Sequence, residues 1–362
     1  MLSSVTKTCG ILTSGGDAPG LNAAIRGVAR AAMDVYGIKV IGIEHGYRGL
    51  MEGRSRVLGP QEFSGILATG GTILGTSREK PFKDKNWCAE NGGPCAVEAI
   101  KETYRNLGLD CLVVLGGNGT NTTGALLAKE GLNVIGLPKT IDNDIVETDA
   151  TFGFYTALSV ATDGIDRLHS TASSHNRVMV IEVMGHKAGW LALYAGVAGG
   201  GDVILIPEIP YRIERIAAHL HERSRAGKTF SIVVVAEGAL SAEEALMDRK
   251  AFKKARERMP LSIGYRVANE IEESTGIESR VTVLGYLQRG GTPCAYDRVL
   301  ASQFGTAAAA MLARGEYGKM VALQNEKIVS VPLDLVAGRI KQVPVDHRML
   351  GTARDVGTCM GD

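Results

Sequence analysis

Short runs rich in Val, Ile and Leu alternate with segments whose apolar residues recur at helical spacing, almost from the first residue. Thr8 to Ser14, Ile38 to His45, Asp110 to Gly117 and Asn133 to Lys139 read as strands, and a second set follows in Arg177 to Met184, Asp202 to Glu208, Phe230 to Gly238 and Ser279 to Leu287. Ile213 to Arg225 carries the helical pattern between two of these. Several runs are apolar on both alternating positions, as parallel strands covered on both faces by helices require. The pattern predicts an α/β chain of two doubly wound, mostly parallel-sheet domains, with a soft boundary near Phe152 to Thr156. Ala188 to Gly201 is nearly uncharged, too short to cross a bilayer, and reads as a buried helix.

Composition narrows the partners. A chain of 362 residues that is 45% hydrophobic suits two domains of ordinary size, and 40 Lys and Arg against 39 Asp and Glu leave no global field for nucleic acid or an anionic membrane. Any bound anion must be met by locally placed donors. The six cysteines lack CxxC or zinc spacing, and the N-terminus lacks a secretory core, so a cytoplasmic, reducing compartment is expected.

In an open parallel sheet ligands gather beyond the C-terminal strand ends, and three loops there are unusual. Thr13-Ser14-Gly15-Gly16-Asp17-Ala18-Pro19-Gly20 joins a strand to a helix beginning near Leu21. Paired glycines let backbone NH groups approach an anion, and a helix N-terminus adds partial positive charge. Taken alone, the segment reads equally well as a tight βα turn capped by Asp17. Gly116-Gly117-Asn118-Gly119-Thr120 repeats the design after the next strand. It is not a dinucleotide fingerprint, because Thr122 stands where the third glycine belongs, so a nicotinamide-linked dehydrogenase is disfavoured. Gly227-Lys228-Thr229 is no Walker loop either, since Glu222 replaces its first glycine and a strand follows.

The third loop is Pro138-Lys139-Thr140-Ile141-Asp142-Asn143-Asp144. Two carboxylates two residues apart in a non-helical loop can divide the work of phosphoryl transfer, one taking the proton of an attacking hydroxyl and the other helping to hold magnesium. An isolated Asp-Asn-Asp is more often a surface turn, but here two anion-type loops precede it.

With these three loops in this order, the sequence resembles the 6-phosphofructokinase family through nearly the whole chain, to about Glu326. The resemblance also rests on Gly71-Thr72-Ile73-Leu74-Gly75-Thr76-Ser77-Arg78, Ser173-Ser174-His175-Asn176-Arg177, Val183-Met184-Gly185 and Val283-Leu284-Gly285-Tyr286-Leu287-Gln288-Arg289-Gly290-Gly291. It implies a phosphoryl-donor domain of residues 1–153 plus about 288–325, a sugar-phosphate domain of 154–287 plus the C-terminal segment, and an active site in the cleft between them.

The resemblance further implies ATP and fructose 6-phosphate as substrates, Mg2+ as cofactor, and a homo-oligomer. Gly15, Arg78, Gly117, Asn118, Gly119 and Thr120 fall where the family binds its donor, Asp142 where it holds the base, with Lys139 and Thr140 beside it. Asn118 and Asp144 fall near the metal. Thr140, Met184, Gly185, His186, Glu237, Tyr286 and Arg289 match sugar-phosphate positions. Arg177 and Arg280 match arginines that a neighbouring subunit supplies to the 6-phosphate.

Some positions bear on the donor. Pyrophosphate-using members carry Asp where this chain has Gly119, and an Asp there would oppose the α-phosphate of ATP by roughly 4 kcal/mol at about 4 Å and an effective dielectric near 20. Lys139 is familiar in pyrophosphate enzymes, but Gly and Lys together occur in an ATP-using branch. His186 replaces a phosphoryl-directed arginine, whose charge Lys139 is expected to supply. Asn118 replaces an Asp, which weakens the metal contact and leaves Asp144 the heavier share. The expectation is ATP; the alternatives are the pyrophosphate-dependent reaction and a non-catalytic sensor.

Overall fold

The structure is a computed structural model that describes residues 1–84, 87, 93–256 and 262–362; Cys88 lies outside the described residues. Two compact units emerge. The first comprises Met1–Ile141, Ile145–Thr156 and Arg289–Ile340, and the second Asp142–Asp144, Ala157–Gln288 and Lys341–Asp362.

The first unit is built on β1 (Thr8–Ser14), β2 (Lys39–Ile43), β3 (Ser55–Val57), β4 (Cys111–Gly116), β5 (Val134–Thr140), β6 (Phe152–Gly153), β11 (Lys319–Gln324) and β12 (Lys327–Pro332). Its strand order is β12-β11-β5-β4-β1-β2-β3, with β6 beside β5, and only the edge strands β3 and β12 run antiparallel. β4 and β5 are buried at every position because both faces are covered. Alternate residues feed two cores: Cys9, Ile11, Cys111, Val113 and Leu115 on one face, Leu12, Leu112 and Val114 on the other. On the first face the helices Leu21–Arg30 and Ala295–Arg314 pack closely, since Gly27 faces Gly305 and a Cβ on Gly305 would lie 2.7 Å from the Val28 nitrogen.

The chain leaves β1 toward β2, then crosses back to β4 on the other side. The strand order therefore reverses between β1 and β4, where open α/β sheets bind ligands, and both glycine loops follow these two strands.

The second unit holds β7 (Val178–Val183), β8 (Val203–Leu205), β9 (Ser231–Ala236) and β10 (Ser279–Val283) in the order β10-β7-β9-β8, all parallel. Val178, Val180, Val233 and Val235 pack against Ile216 and Leu220 of the helix Ile213–Arg225 and Ile263, Val267 and Ile271 of the helix Ile263–Thr275. Trp190–Ala198 is the buried helix expected within Ala188 to Gly201.

Two details differ from the sequence pattern. The run expected as a strand to Leu287 leaves the sheet at Val283 and continues as a 3-10 turn, Gly285–Arg289, because Gly285 takes a φ of 48° that no strand tolerates. The units divide near 340 rather than near 325, because β12 folds back on β11 in an antiparallel pair and keeps the chain in the first unit.

Candidate active site

In the first unit the loops after β1 and β4 meet the end of β5. The Gly15 NH donates to the Ser77 carbonyl at 2.8 Å, the Thr76 hydroxyl to the Gly15 carbonyl at 2.7 Å, and the Ser14 hydroxyl to the Ser77 carbonyl at 3.1 Å. These bonds clamp the first glycine turn onto the segment that ends at exposed Arg78. The Thr120 hydroxyl reaches across to the Ser14 carbonyl at 3.1 Å, joining the second turn to the first. Beneath it the buried Tyr47 hydroxyl donates to the Thr120 carbonyl at 2.9 Å, and desolvation pushes that phenol's pKa far up, so it remains a donor.

Lys139, at the end of β5, is 3% exposed and donates its ammonium to the Gly16 carbonyl, with Nζ 3.7 Å from the point a Cβ on Gly15 would occupy. A buried lysine ammonium thus sits among two glycine turns and the Thr120 hydroxyl. Asn118 opens the helix Asn118–Lys129 behind Gly117, so the NH groups of its first turn and the positive end of the helix dipole face the same loops. Gly119 is exposed, and a Cβ built on it meets nothing within 4 Å. The fold does not require glycine there.

Arg289 also belongs to this neighbourhood. Its guanidinium donates to the Asp17 carbonyl at 3.0 Å and packs so closely on Gly16 that a Cβ there would lie 2.8 Å from Nη1. The residue expected among sugar-phosphate contacts thereby lines the first unit's glycine turn.

In the second unit, Met184, Gly185 and His186 follow β7, Glu237 follows β9 and Tyr286 follows β10, three neighbouring strand ends. Glu237 accepts from the NH of His186 at 2.7 Å and of Gly185 at 3.3 Å. Gly185 has a φ of 145° and lies against the Ala188 carbonyl, while His186 holds a left-handed φ of 53°, a conformation the carboxylate's paired NH contacts secure. Met184, Glu237 and Tyr286 line one cavity of about 190 Å³, together with Glu182, Val183 and Gly285. Tyr286 itself is 75% exposed.

Arg177 and Arg280 lie elsewhere. They stand at the opposite, N-terminal ends of β7 and β10, where both pair with Glu278, Arg177 at 2.6 Å. A strand rises about 3.3 Å per residue, so seven residues separate Arg177 from Met184 by roughly 20 Å. Within one chain these two arginines do not join the sugar-phosphate set.

Asp142, Asn143 and Asp144 are each more than nine-tenths buried, and Asn143 has a φ of 50°, which turns the loop between the two carboxylates. The Thr140 carbonyl just before them accepts the Thr151 hydroxyl at 2.8 Å. Among the described residues no group of three His, Cys, Asp or Glu could cage a metal. Asp142 and Asp144 offer carboxylate oxygens of the type a hard divalent cation takes.

Sequence reasoning gave no role to Tyr47, Glu208 or the segment Lys341 to Val343. Thr76 and Ser77 lie within the Gly71 to Arg78 motif, but their clamp on the Gly15 turn depends on contacts between residues some sixty positions apart.

The Phosphofructokinase family model matches residues 8–312. The chain belongs to the phosphofructokinase family. It is 65% identical over 360 residues, covering 99% of this chain and 98% of the other, to the ATP-dependent 6-phosphofructokinase of Spirochaeta thermophila. It is 47% identical over 340 residues, 93% of this chain and 96% of the other, to the pyrophosphate--fructose 6-phosphate 1-phosphotransferase of Amycolatopsis methanolica. Among solved structures, the T-state phosphofructokinase of Pichia pastoris superposes with a TM-score of 0.80 at 32% identity, covering 97% of this chain, which spans 36% of that longer one. The two glycine loops and the Asp142–Asp144 segment both fall inside the family match, and among the described residues no helix is long and apolar enough to cross a membrane.

Proposed function

We propose that this phosphofructokinase transfers the γ-phosphoryl group of ATP to the 1-hydroxyl of fructose 6-phosphate, giving fructose 1,6-bisphosphate and ADP in cytoplasmic glycolysis. The observation that carries the reading is the buried Lys139 ammonium on the Gly16 carbonyl, where the turns after β1 and β4 are tied together by Thr120. NH groups and a fixed cation in that arrangement suit a polyphosphate and its transition state.

ATP is the donor because Gly119 leaves its surroundings open where a carboxylate would repel the α-phosphate, and because the 65% identical relative carries the ATP-dependent name. Gly15, Arg78, Gly117, Asn118 and Thr120 complete the donor set. Asp142 accepts the proton of the 1-hydroxyl as that oxygen attacks, and Thr140 orients the acceptor. Met184, Gly185, His186, Glu237 and Tyr286 bind the sugar phosphate; Arg289 steadies the glycine turn from its contact with Asp17.

Asp144 and Asn118 would hold Mg2+, a carboxylate and an amide being oxygen ligands of the type that ion prefers. Bound, it neutralises charge on the phosphate oxygens. Arg177 and Arg280 serve the 6-phosphate site of a neighbouring subunit, a reading supported by their place at the wrong strand ends to serve their own. The enzyme is accordingly a homo-oligomer.

Purified protein assayed with fructose 6-phosphate and each donor tests the proposal. Turnover is expected with ATP; turnover with pyrophosphate alone would overturn the donor assignment. Asp142→Ala should lower kcat by at least about 10²-fold with the melting temperature retained, as loss of a general base requires. Unchanged turnover in that variant would overturn Asp142 as the base, and a wild-type protein that binds ligand but turns over with neither donor would return it to the class of sensors.

A further inference from the structure

The C-terminal segment carries no motif, yet in the second unit Lys341, Gln342 and Val343 run against two loops that hold candidate site residues. The Lys341 NH donates to the Asp144 carbonyl at 2.8 Å, and the Lys341 carbonyl accepts the Trp190 indole NH at 2.8 Å. The Gln342 amide reaches the Lys187 carbonyl at 3.5 Å. The Val343 NH donates to Glu208 at 2.9 Å, and the same carboxylate oxygen accepts the Gly189 NH at 2.9 Å. Three consecutive residues therefore bond the acidic loop on one side and the His186–Trp190 turn on the other.

The anchors are built into the core of the unit. Trp190 is 6% and Val343 2% exposed, and the ring of His347 meets the Trp190 ring edge-on at 5.0 Å. Burial raises the Glu208 pKa, while the main-chain NH groups of Val343, Gly189 and Glu208 itself oppose that shift. Further along, Cys359 extends the parallel sheet beside Val203, its carbonyl accepting from Ile204 at 3.0 Å, so the far end of the segment is fixed as well. Gln342 also lines a cavity of about 450 Å³ shared with His186 and Glu237.

The acidic loop needs such support. Asn143 sits in a left-handed conformation that persists only where its surroundings over-determine it, and the Lys341 bond is made to the very next residue. We propose that Lys341–Val343 is a positioning strap for phosphoryl transfer: bonded to Trp190 and Glu208, it holds the main chain of Asp144 and with it the direction of the Asp142 carboxylate. The proposal rests on the reading of Asp142 as the base.

Substitutions at two positions away from the substrate-binding residues test it in the full-length protein. Trp190→Phe removes the indole donor and keeps an aromatic ring; Glu208→Ala removes the shared acceptor, and Glu208→Gln restores an acceptor oxygen. Amide hydrogen exchange of the 142–145 segment should speed up in Trp190→Phe and Glu208→Ala. Their kcat should fall roughly ten- to a hundredfold, the effect of a slightly misplaced reacting group, while KM for ATP stays within about twofold. Glu208→Gln should recover most of both. Lower melting temperatures with exchange at 142–145 and kcat unchanged would overturn the strap and leave only a structural tail. A wild-type protein that transfers no phosphoryl group would instead defeat the parent reading, and the exchange comparison would still report whether the strap holds the loop.

Discussion

Glu237 accepts the main-chain NH of His186 at 2.7 Å, so the carboxylate expected to bind the sugar also shapes the loop that leaves β7. A carbonyl-bearing Gln at 237 can still accept that NH, whereas Ala cannot. Glu237→Gln is expected to raise KM for fructose 6-phosphate by roughly tenfold through the lost charge-assisted hydrogen bond, with the melting temperature held. Glu237→Ala should raise it further and lower the melting temperature, because two NH groups lose their acceptor and His186 loses the support for its left-handed backbone. Steady-state kinetics beside thermal melts separate the two effects.

Gly119→Asp asks whether glycine is there for the donor or for the fold. The open space around that position predicts an unchanged melting temperature. Repulsion of roughly 4 kcal/mol between the new carboxylate and the α-phosphate predicts a kcat/KM for ATP reduced by about a thousandfold, with pyrophosphate, which lacks that phosphate, spared. Equal loss with both donors would show that the position acts sterically.

Lys139→Met removes the buried ammonium and keeps the aliphatic stem. Loss of a preorganised positive donor at the phosphates should lower kcat by about 10²- to 10³-fold. Fructose 6-phosphate affinity, measured without donor, should change little if the ammonium serves the phosphates beside the Gly16 turn, and a matching loss of sugar affinity would place Lys139 in the sugar site instead.

Asp297 gives a pH signature. It is fully buried, accepts the Thr156 NH at 2.7 Å and hydroxyl at 2.6 Å, and burial raises its pKa above 3.8 in spite of those donors. A raised folded-state pKa means that the folded chain binds the proton more tightly than the unfolded one. This contribution to stability is fully present below 3.8 and is lost as pH climbs through the folded value. The stability of the wild type relative to Asp297→Asn should therefore fall as pH rises from 3.8 through the folded value, as followed by denaturant midpoints of both proteins at successive pH values. A difference that grows with pH across that window would contradict the assignment.

The amino-acid order alone determined much of this protein. Runs such as Cys111 to Leu115 are apolar at every position because both sheet faces are covered, so α/β layering could be read without coordinates. The glycine turns and the Asp142–Asp144 loop were equally visible, since anion-binding turns and paired carboxylates are local in sequence. Composition failed at Tyr286 and Leu287, apolar enough for a strand, where a single backbone angle at Gly285 ended the sheet.

Only the tertiary structure decided what meets what. Lys139 reaches Gly16 across more than a hundred residues, Arg289 joins the first glycine turn, and Arg177 stands at the end of β7 opposite Met184. The strap at Lys341 to Val343 was invisible for the same reason: its bonds use main-chain groups, which every residue carries, and the partners that give them meaning are set by packing rather than by spacing.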